Sequence, residues 1–125
     1  MKHTLGKEER LKNRKLIGQL YTEGISVKAY PLRLVFLQTE HTSDFPAQVG
    51  VSVPKRNFKR AVDRNRIKRL LRESYRLNKN IVYSQLDKPY VFMISYLEKD
   101  EMTYKDIEEK MIKLLSKFIE KTKKD

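Results

Sequence analysis

Residues 55–72 read KRNFKRAVDRNRIKRLLR, and the rest of the chain is organised around them. Nine of these positions are Lys or Arg (Lys55, Arg56, Lys59, Arg60, Arg64, Arg66, Lys68, Arg69, Arg72). The only acid is Asp63, so the stretch carries +8 of the chain's formal +12. From Ala61 to Asn78 the pattern is helical. At about 100° per residue, Ile67, Leu70, Leu71, Ser74 and Leu77 share one arc, while Arg64, Asn65, Lys68, Arg69, Arg72 and Arg76 fill the opposite one. Such a helix buries one side and presents a basic ridge on the other. Like charges at i, i+4 repel by about 0.2–0.5 kcal/mol per pair. Solvated helix faces usually mix signs, yet after Asp63 this ridge has only Glu73. A polyanion is the natural counter-charge, and nucleic acid the expected partner.

A length of 125 residues suggests one domain, spanning 1–125, with 1–12 and 121–125 expected to be flexible. With 39% hydrophobic and 35% charged residues the chain is polar but still has apolar pattern enough to fold. The absence of cysteine excludes disulfides and thiolate metal sites. No apolar run approaches the ~20 residues of a membrane span, and MKHTLGKEERLKNRK lacks the apolar core of a secretory signal. The expected location is cytoplasmic, with no membrane partner.

Upstream of the basic stretch, Asn13 is placed to cap a helix ending at Glu23, with Leu16, Ile17, Leu20 and Tyr21 as its apolar stripe and Gly24 as a left-handed stop. Leu32–Gln38 and Gln48–Val53 alternate as strands, and a short further strand fits at Ile25–Ala29. Gly50 and Ser52 lie opposite Val49, Val51 and Val53, leaving room for something to approach the sheet. Downstream, Asn78–Pro89 reads as a connection and Tyr90–Leu97 as the most apolar strand. Thr103 with Asp106 resembles a capping box, opening a helix with Ile107, Met111, Leu114, Leu115, Phe118 and Ile119 at core spacing. The result is an α+β fold, a small mixed sheet packed with helices in the order α-β-β-(β)-α-β-α.

A protein nuclease needs clustered acids to hold Mg²⁺ or a His poised as base. Here Asp44, Asp87, Glu98, Asp100, Glu101 and Asp106 are scattered, His3 and His41 lie near a terminus and in a loop, and there is no glycine-rich phosphate loop. No catalytic or metal-binding residue is expected in this polypeptide.

The run RNRIKRLLRES, preceded by the strand VGVSV and the loop PKRNFKRAVD, closely resembles the signature of the bacterial ribonuclease P protein family, and the flanking elements come in that family's order. The resemblance implies a left-handed βαβ crossover, as in the second domain of ribosomal protein S5, where general rules favour a right-handed one. It implies that an RNA subunit with bound Mg²⁺ hydrolyses precursor tRNA to remove the 5′ leader, while the protein binds no cofactor itself. On that analogy Lys55, Arg56, Lys59, Arg60, Arg64, Asn65, Arg66, Lys68, Arg69 and Arg72 lie against ribonuclease P RNA. The single-stranded leader occupies a cleft bordered by Ile17, Tyr21, Tyr30, Arg33 and Val35, with one protein monomer per RNA. The competing readings are a structural RNA-binding protein or RNA chaperone with no coupled reaction, an autonomous nuclease, and a DNA-binding protein.

Overall fold

Asn13 begins the first helix as its sequence requires, its Oδ1 accepting from the backbone N–H groups of Lys15 (2.9 Å) and Leu16 (3.2 Å). The computed structural model describes residues 5–41 and 45–123. After a short 3₁₀ turn, Lys7–Glu9, the elements are α1 (Arg14–Glu23), β1 (Ile25–Ala29), β2 (Leu32–Gln38), β3 (Ala47–Ser52), α2 (Ala61–Asn78), α3 (Asn80–Tyr83), β4 (Tyr90–Tyr96) and α4 (Tyr104–Lys123). The strand expected at Ile25–Ala29 is present. The connection after Asn78 instead contains the short helix α3.

The sheet runs β1-β2-β4-β3, antiparallel except for the parallel pair β3 and β4, which α2 and α3 connect. One face carries Leu32, Leu34, Phe36, Val49, Phe92, Ile94 and Tyr96 and is covered by α2, α3 and α4. Helix α4 buries the whole stripe read from its sequence. Its Phe118 ring meets Phe36, Phe92 and Tyr90 at centroid distances of 4.8, 4.9 and 5.3 Å. Thr103 Oγ1 accepts from the Asp106 N–H at 3.2 Å, the forward half of the capping box. On α2 the buried residues are Ile67, Leu71, Ser74 and Tyr75, whereas Leu77 is exposed. The contact with α4 thus turns the arc toward Tyr75 near the helix end.

The opposite face is only partly covered. Helix α1 crosses it, placing Leu20 in a small second core with Leu11, Val35, Val91 and Met93. Gly24 is not left-handed: it is extended, with φ −69° and ψ 156°. It is needed for space, because a Cβ there would lie 2.3 Å from the Leu20 carbonyl oxygen and 2.6 Å from Val35 Cγ1.

The amino-terminal segment, expected to be mobile, is packed along the β3 edge over its described part. Leu11 donates its N–H to the Val49 carbonyl at 2.9 Å, and Arg10 bridges Val49 in parallel. Glu9 is buried, accepting from Lys79 Nζ at 2.6 Å and from the Tyr83 hydroxyl at 2.7 Å. The other edge is shielded by α4, whose Lys117 and Lys121 donate to the carbonyls of Lys28 (2.7 Å) and Ser26 (3.4 Å). At the carboxy terminus α4 continues to Lys123, so Lys121–Lys123 are helical. The remainder of both expected flexible ends, residues 1–4 and 124–125, lies outside the described residues.

Two glycines of this region test the packing. Gly24→Ala should cost about 1–3 kcal/mol by forcing α1 off the sheet. Gly18→Ala, in open space on α1, should stabilise by about 1 kcal/mol. Urea denaturation of the two variants checks this; a neutral Gly24→Ala would show that α1 is not seated so closely.

Candidate nucleic-acid interface

The basic loop and helix are shaped by one of their own cations. Pro54 ends the extended run after β3, and its carbonyl accepts from the N–H groups of Asn57 (3.2 Å) and Phe58 (3.3 Å), turning the chain. Phe58 is buried against Tyr96, ring centroids 6.0 Å apart, which anchors the loop. Arg64 then reaches back from the first turns of α2, its Nη1 donating to the carbonyls of Phe58 (2.8 Å) and Lys59 (2.9 Å). This arginine fixes the loop on the helix, a job that a count of charges does not reveal.

Arg66 is also engaged, 2.6 Å from Asp63 Oδ1 and 3.4 Å from Glu101 Oε1. Among the described residues, Lys55, Arg56, Lys59, Arg60, Lys68, Arg69 and Arg72 take part in no ion pair. All but the half-buried Lys68 are exposed, as is Asn65. The acids that would neutralise the ridge are placed elsewhere: Glu73 pairs with Arg76 on its own helix, and Glu108 accepts from Asn78 and Tyr104. Arg72 has its pKa lowered by partial burial and by the nearby Arg10. A cation from the amino-terminal segment therefore adjoins the ridge, a neighbour that sequence spacing could not disclose.

The second expected site lies on the partly covered sheet face. Register aligns Lys28, Arg33, Ser95 and Ser52 in one row across all four strands. The next row is Ser26, Val35, Met93 and Gly50, and it lies under α1 or its entry. Val35, expected at the cleft, is only 8% exposed and sits beneath the end of α1 as core. Gly50 does not leave open room either: Met93 Cε would lie 2.9 Å from a Cβ there, with Leu11 behind it. Ser52 remains half-exposed. Arg33 is half-buried, and its Nε has no hydrogen-bond partner among the described residues.

Ile17 and Tyr21 lie at i, i+4 on one flank of α1; Ile17 packs partly into the second core, and Tyr21 is 54% exposed. Tyr30, in the turn between β1 and β2, is 57% exposed, with its hydroxyl 3.5 Å from Glu98 Oε2. The structure thus offers an exposed ring on α1, an exposed ring at a turn, and between the strands a polar row in which Ser95 and the Arg33 Nε are buried while Ser52 is half-exposed. The row ends at Ser52, close in sequence to the basic loop.

Burial pushes the Tyr75 and Tyr83 hydroxyls well above the ordinary tyrosine pKa. Both belong to the buried network around Glu9 and Lys79, away from the ridge. Neither a general base nor a nucleophile is made by that arrangement.

Fold and charge together define a class: a small α+β domain whose β3–β4 crossover helix is a largely unneutralised cationic surface. The chain belongs to the ribonuclease P protein family, its residues 5–119 matching the family model described as Ribonuclease P. It is 44% identical over 89 residues to the ribonuclease P protein component of Porphyromonas gingivalis, an alignment covering 70% of this chain and 64% of that protein. The chain thus matches less than two thirds of that relative's length. A relative of the same description from Syntrophus aciditrophicus is 34% identical over 116 residues, covering 93% of this chain and 92% of that one. Among solved structures, the RNase P protein from Thermotoga maritima superposes with a TM-score of 0.70 at 24% identity, over 87% of this chain and 96% of that one. The Staphylococcus aureus RNase P protein gives 0.66 at 26% identity, over 86% and 93%.

The division of labour within the basic stretch is measurable. Arg64→Ala should lose about 1–3 kcal/mol of stability and speed amide exchange in residues 55–60. Lys68→Ala, with no partner to lose, should stay within about 0.5 kcal/mol of the parent. Equal effects in melting and exchange experiments would refute the role given to Arg64.

Proposed function

We propose that this chain is the protein subunit of ribonuclease P, the ribonucleoprotein that removes the 5′ leader from precursor tRNA in the cytoplasm. The observation that carries this reading is the set of seven cations on one loop and helix without ion pairs, in a chain of this family. Such a surface is stabilised by phosphates, and its affinity should fall steeply with salt as counterions are released. Lys55, Arg56, Lys59, Arg60, Lys68, Arg69 and Arg72 dock onto the RNA subunit, one protein to one RNA. Asn65 and Arg66 lie among them, and Asn65 both donates and accepts.

The leader lies over Arg33 and Ser52, beside Ile17 and Tyr21, with Tyr30 at its edge. Stacking on an exposed tyrosine and contact with Arg33 tolerate many sequences, as a processor of many precursors needs. Precursor is then preferred over mature tRNA because only the precursor has a leader to hold.

Mg²⁺ and the hydrolysis belong to the RNA in this reading. The chain's own donors do not fit the ion: Asp63 and Glu101, close to the ridge, are both engaged by Arg66. Among the described residues no three His, Cys, Asp or Glu side chains come together.

Reconstitution with ribonuclease P RNA at limiting Mg²⁺ tests the reading directly. Precursor cleavage should be stimulated by the protein and absent with protein alone. An RNA turnover left untouched, with no preference for that RNA over others, would make the chain a general RNA binder or chaperone instead. Within the complex, Tyr21→Ala should raise KM for long-leader precursors, losing about 1–3 kcal/mol of binding if the ring stacks. It should leave leaderless ligands unaffected; equal effects on both would return Tyr21 to a structural role.

A further inference from the structure

Helix α1 has two flanks, and only the one bearing Ile17 and Tyr21 has a role in the reading above. The other faces a groove of about 730 Å³ between α1, the amino-terminal segment and the start of the loop after β2. Lys7, Arg10, Lys12 and Lys15 line it, against two acids, Glu8 and Glu40. None of the four cations is in an ion pair among the described residues. By helical geometry Lys15 and Gln19 fall on one side of α1 and Ile17 and Tyr21 on the other, and Lys12 just precedes its capping Asn13. The wall between groove and leader cleft is therefore the helix itself.

The groove is built, not a chance gathering of lysines. Glu9 is fixed by Lys79 and Tyr83, Leu11 is buried and hydrogen-bonded to Val49, and Gln48 Nε2 donates to the Glu8 carbonyl at 3.0 Å. Arg10, between two anchored neighbours, is held exposed on the β3 edge. Its neighbour Glu9 is bonded to Lys79 just past the end of α2, which brings Arg10 toward the charge of Arg72. Among the described residues no acid pairs with either, so the basic ridge of α2 continues over the sheet edge into the groove.

We propose that this groove is a second RNA track, in which phosphates of the RNA docked on α2 pass from Arg72 over Arg10 to Lys12 and Lys15. The inference rests on the reading that α2 docks onto ribonuclease P RNA. It adds that the amino-terminal segment is part of the same interface and that the leader lies across α1 from it.

The test is binding of ribonuclease P RNA, without substrate, to three variants over a range of salt. These are Arg10→Ala, the double Lys12→Ala/Lys15→Ala, and the double Lys68→Ala/Arg69→Ala as reference, each checked for an unchanged circular dichroism melt. The groove variants should bind several-fold more weakly. Each lost contact should lower the slope of log K against log salt by about 0.7–0.9. Wild-type affinity and slope in the groove variants, with the α2 variant weakened, would overturn the second track and leave the proposed function standing. Wild-type behaviour in all three would sink both. If the groove variants bound the RNA like wild type and, in precursor turnover by the reconstituted complexes, changed the dependence of KM on leader length, the groove would be a leader site and the proposal would be wrong.

Discussion

Helix α2 can hold its charge because of what lies beneath it. Arg64 with Lys68, Lys68 with Arg72 and Arg72 with Arg76 are like-charged pairs at i, i+4, and Arg66 with Arg69 and Arg69 with Arg72 at i, i+3. At about 0.2–0.5 kcal/mol each, these repulsions sum to roughly 1–2.5 kcal/mol. Burial of Ile67, Leu71 and Tyr75, each completely or almost completely removed from solvent, contributes about 1.5–3 kcal/mol per side chain. The packing against α4 and the sheet therefore exceeds the repulsion severalfold. The helix stays formed although Lys68, Arg69 and Arg72 are in no ion pair among the described residues.

A second constraint comes from the opposite kind of electrostatics. Glu9 and Lys79 are a fully buried ion pair, 70 residues apart in sequence, with the Tyr83 hydroxyl on the same carboxylate oxygen and the Gly6 N–H 3.3 Å from the other. Desolvating two charges makes such a pair a modest source of net stability, but removing one partner typically costs about 3–5 kcal/mol. Its effect is positional. It ties the amino-terminal segment to the end of α2 and the start of α3, and it leaves no freedom in where Arg10 and Lys12 emerge. The segment also occupies the free edge of β3, which would otherwise offer unpaired backbone groups to another chain.

The elements were legible where local chemistry fixes them. Asn13 and Thr103 mark helix starts, the α4 stripe was complete, and α2 came out with its full bounds because its apolar arc repeats over five turns. What was hidden depended on partners distant in the chain. Nothing near Glu9 signals Lys79, so a basic, polar segment read as mobile. Tyr75 joined the buried face through the placement of α4, and Arg64 looked like one more ridge cation because its acceptors are backbone carbonyls, invisible in a pattern of side chains. Gly24 was read as a left-handed stop, a matter of conformational freedom, when the backbone there is extended and glycine is needed because a Cβ would strike the Leu20 carbonyl and the Val35 methyl. Val35 was placed at a surface because strand alternation assigns a face without saying what covers it.

Side-chain volume decides how much of the sheet remains open to a ligand. In the row of Val35, Met93 and Gly50, the methionine fills the space that glycine vacates, and Leu11 and Leu20 close it from above. One step along the strands, the row of Arg33, Ser95 and Ser52 has no large apolar side chain; Ser95 is buried, and Arg33 and Ser52 on either side of it are half-exposed. The change from apolar to polar occurs over a single pair of residues on each strand, about 7 Å. Arg33 is the cation in the middle of that row, with its Nε buried and without a hydrogen-bond partner among the described residues.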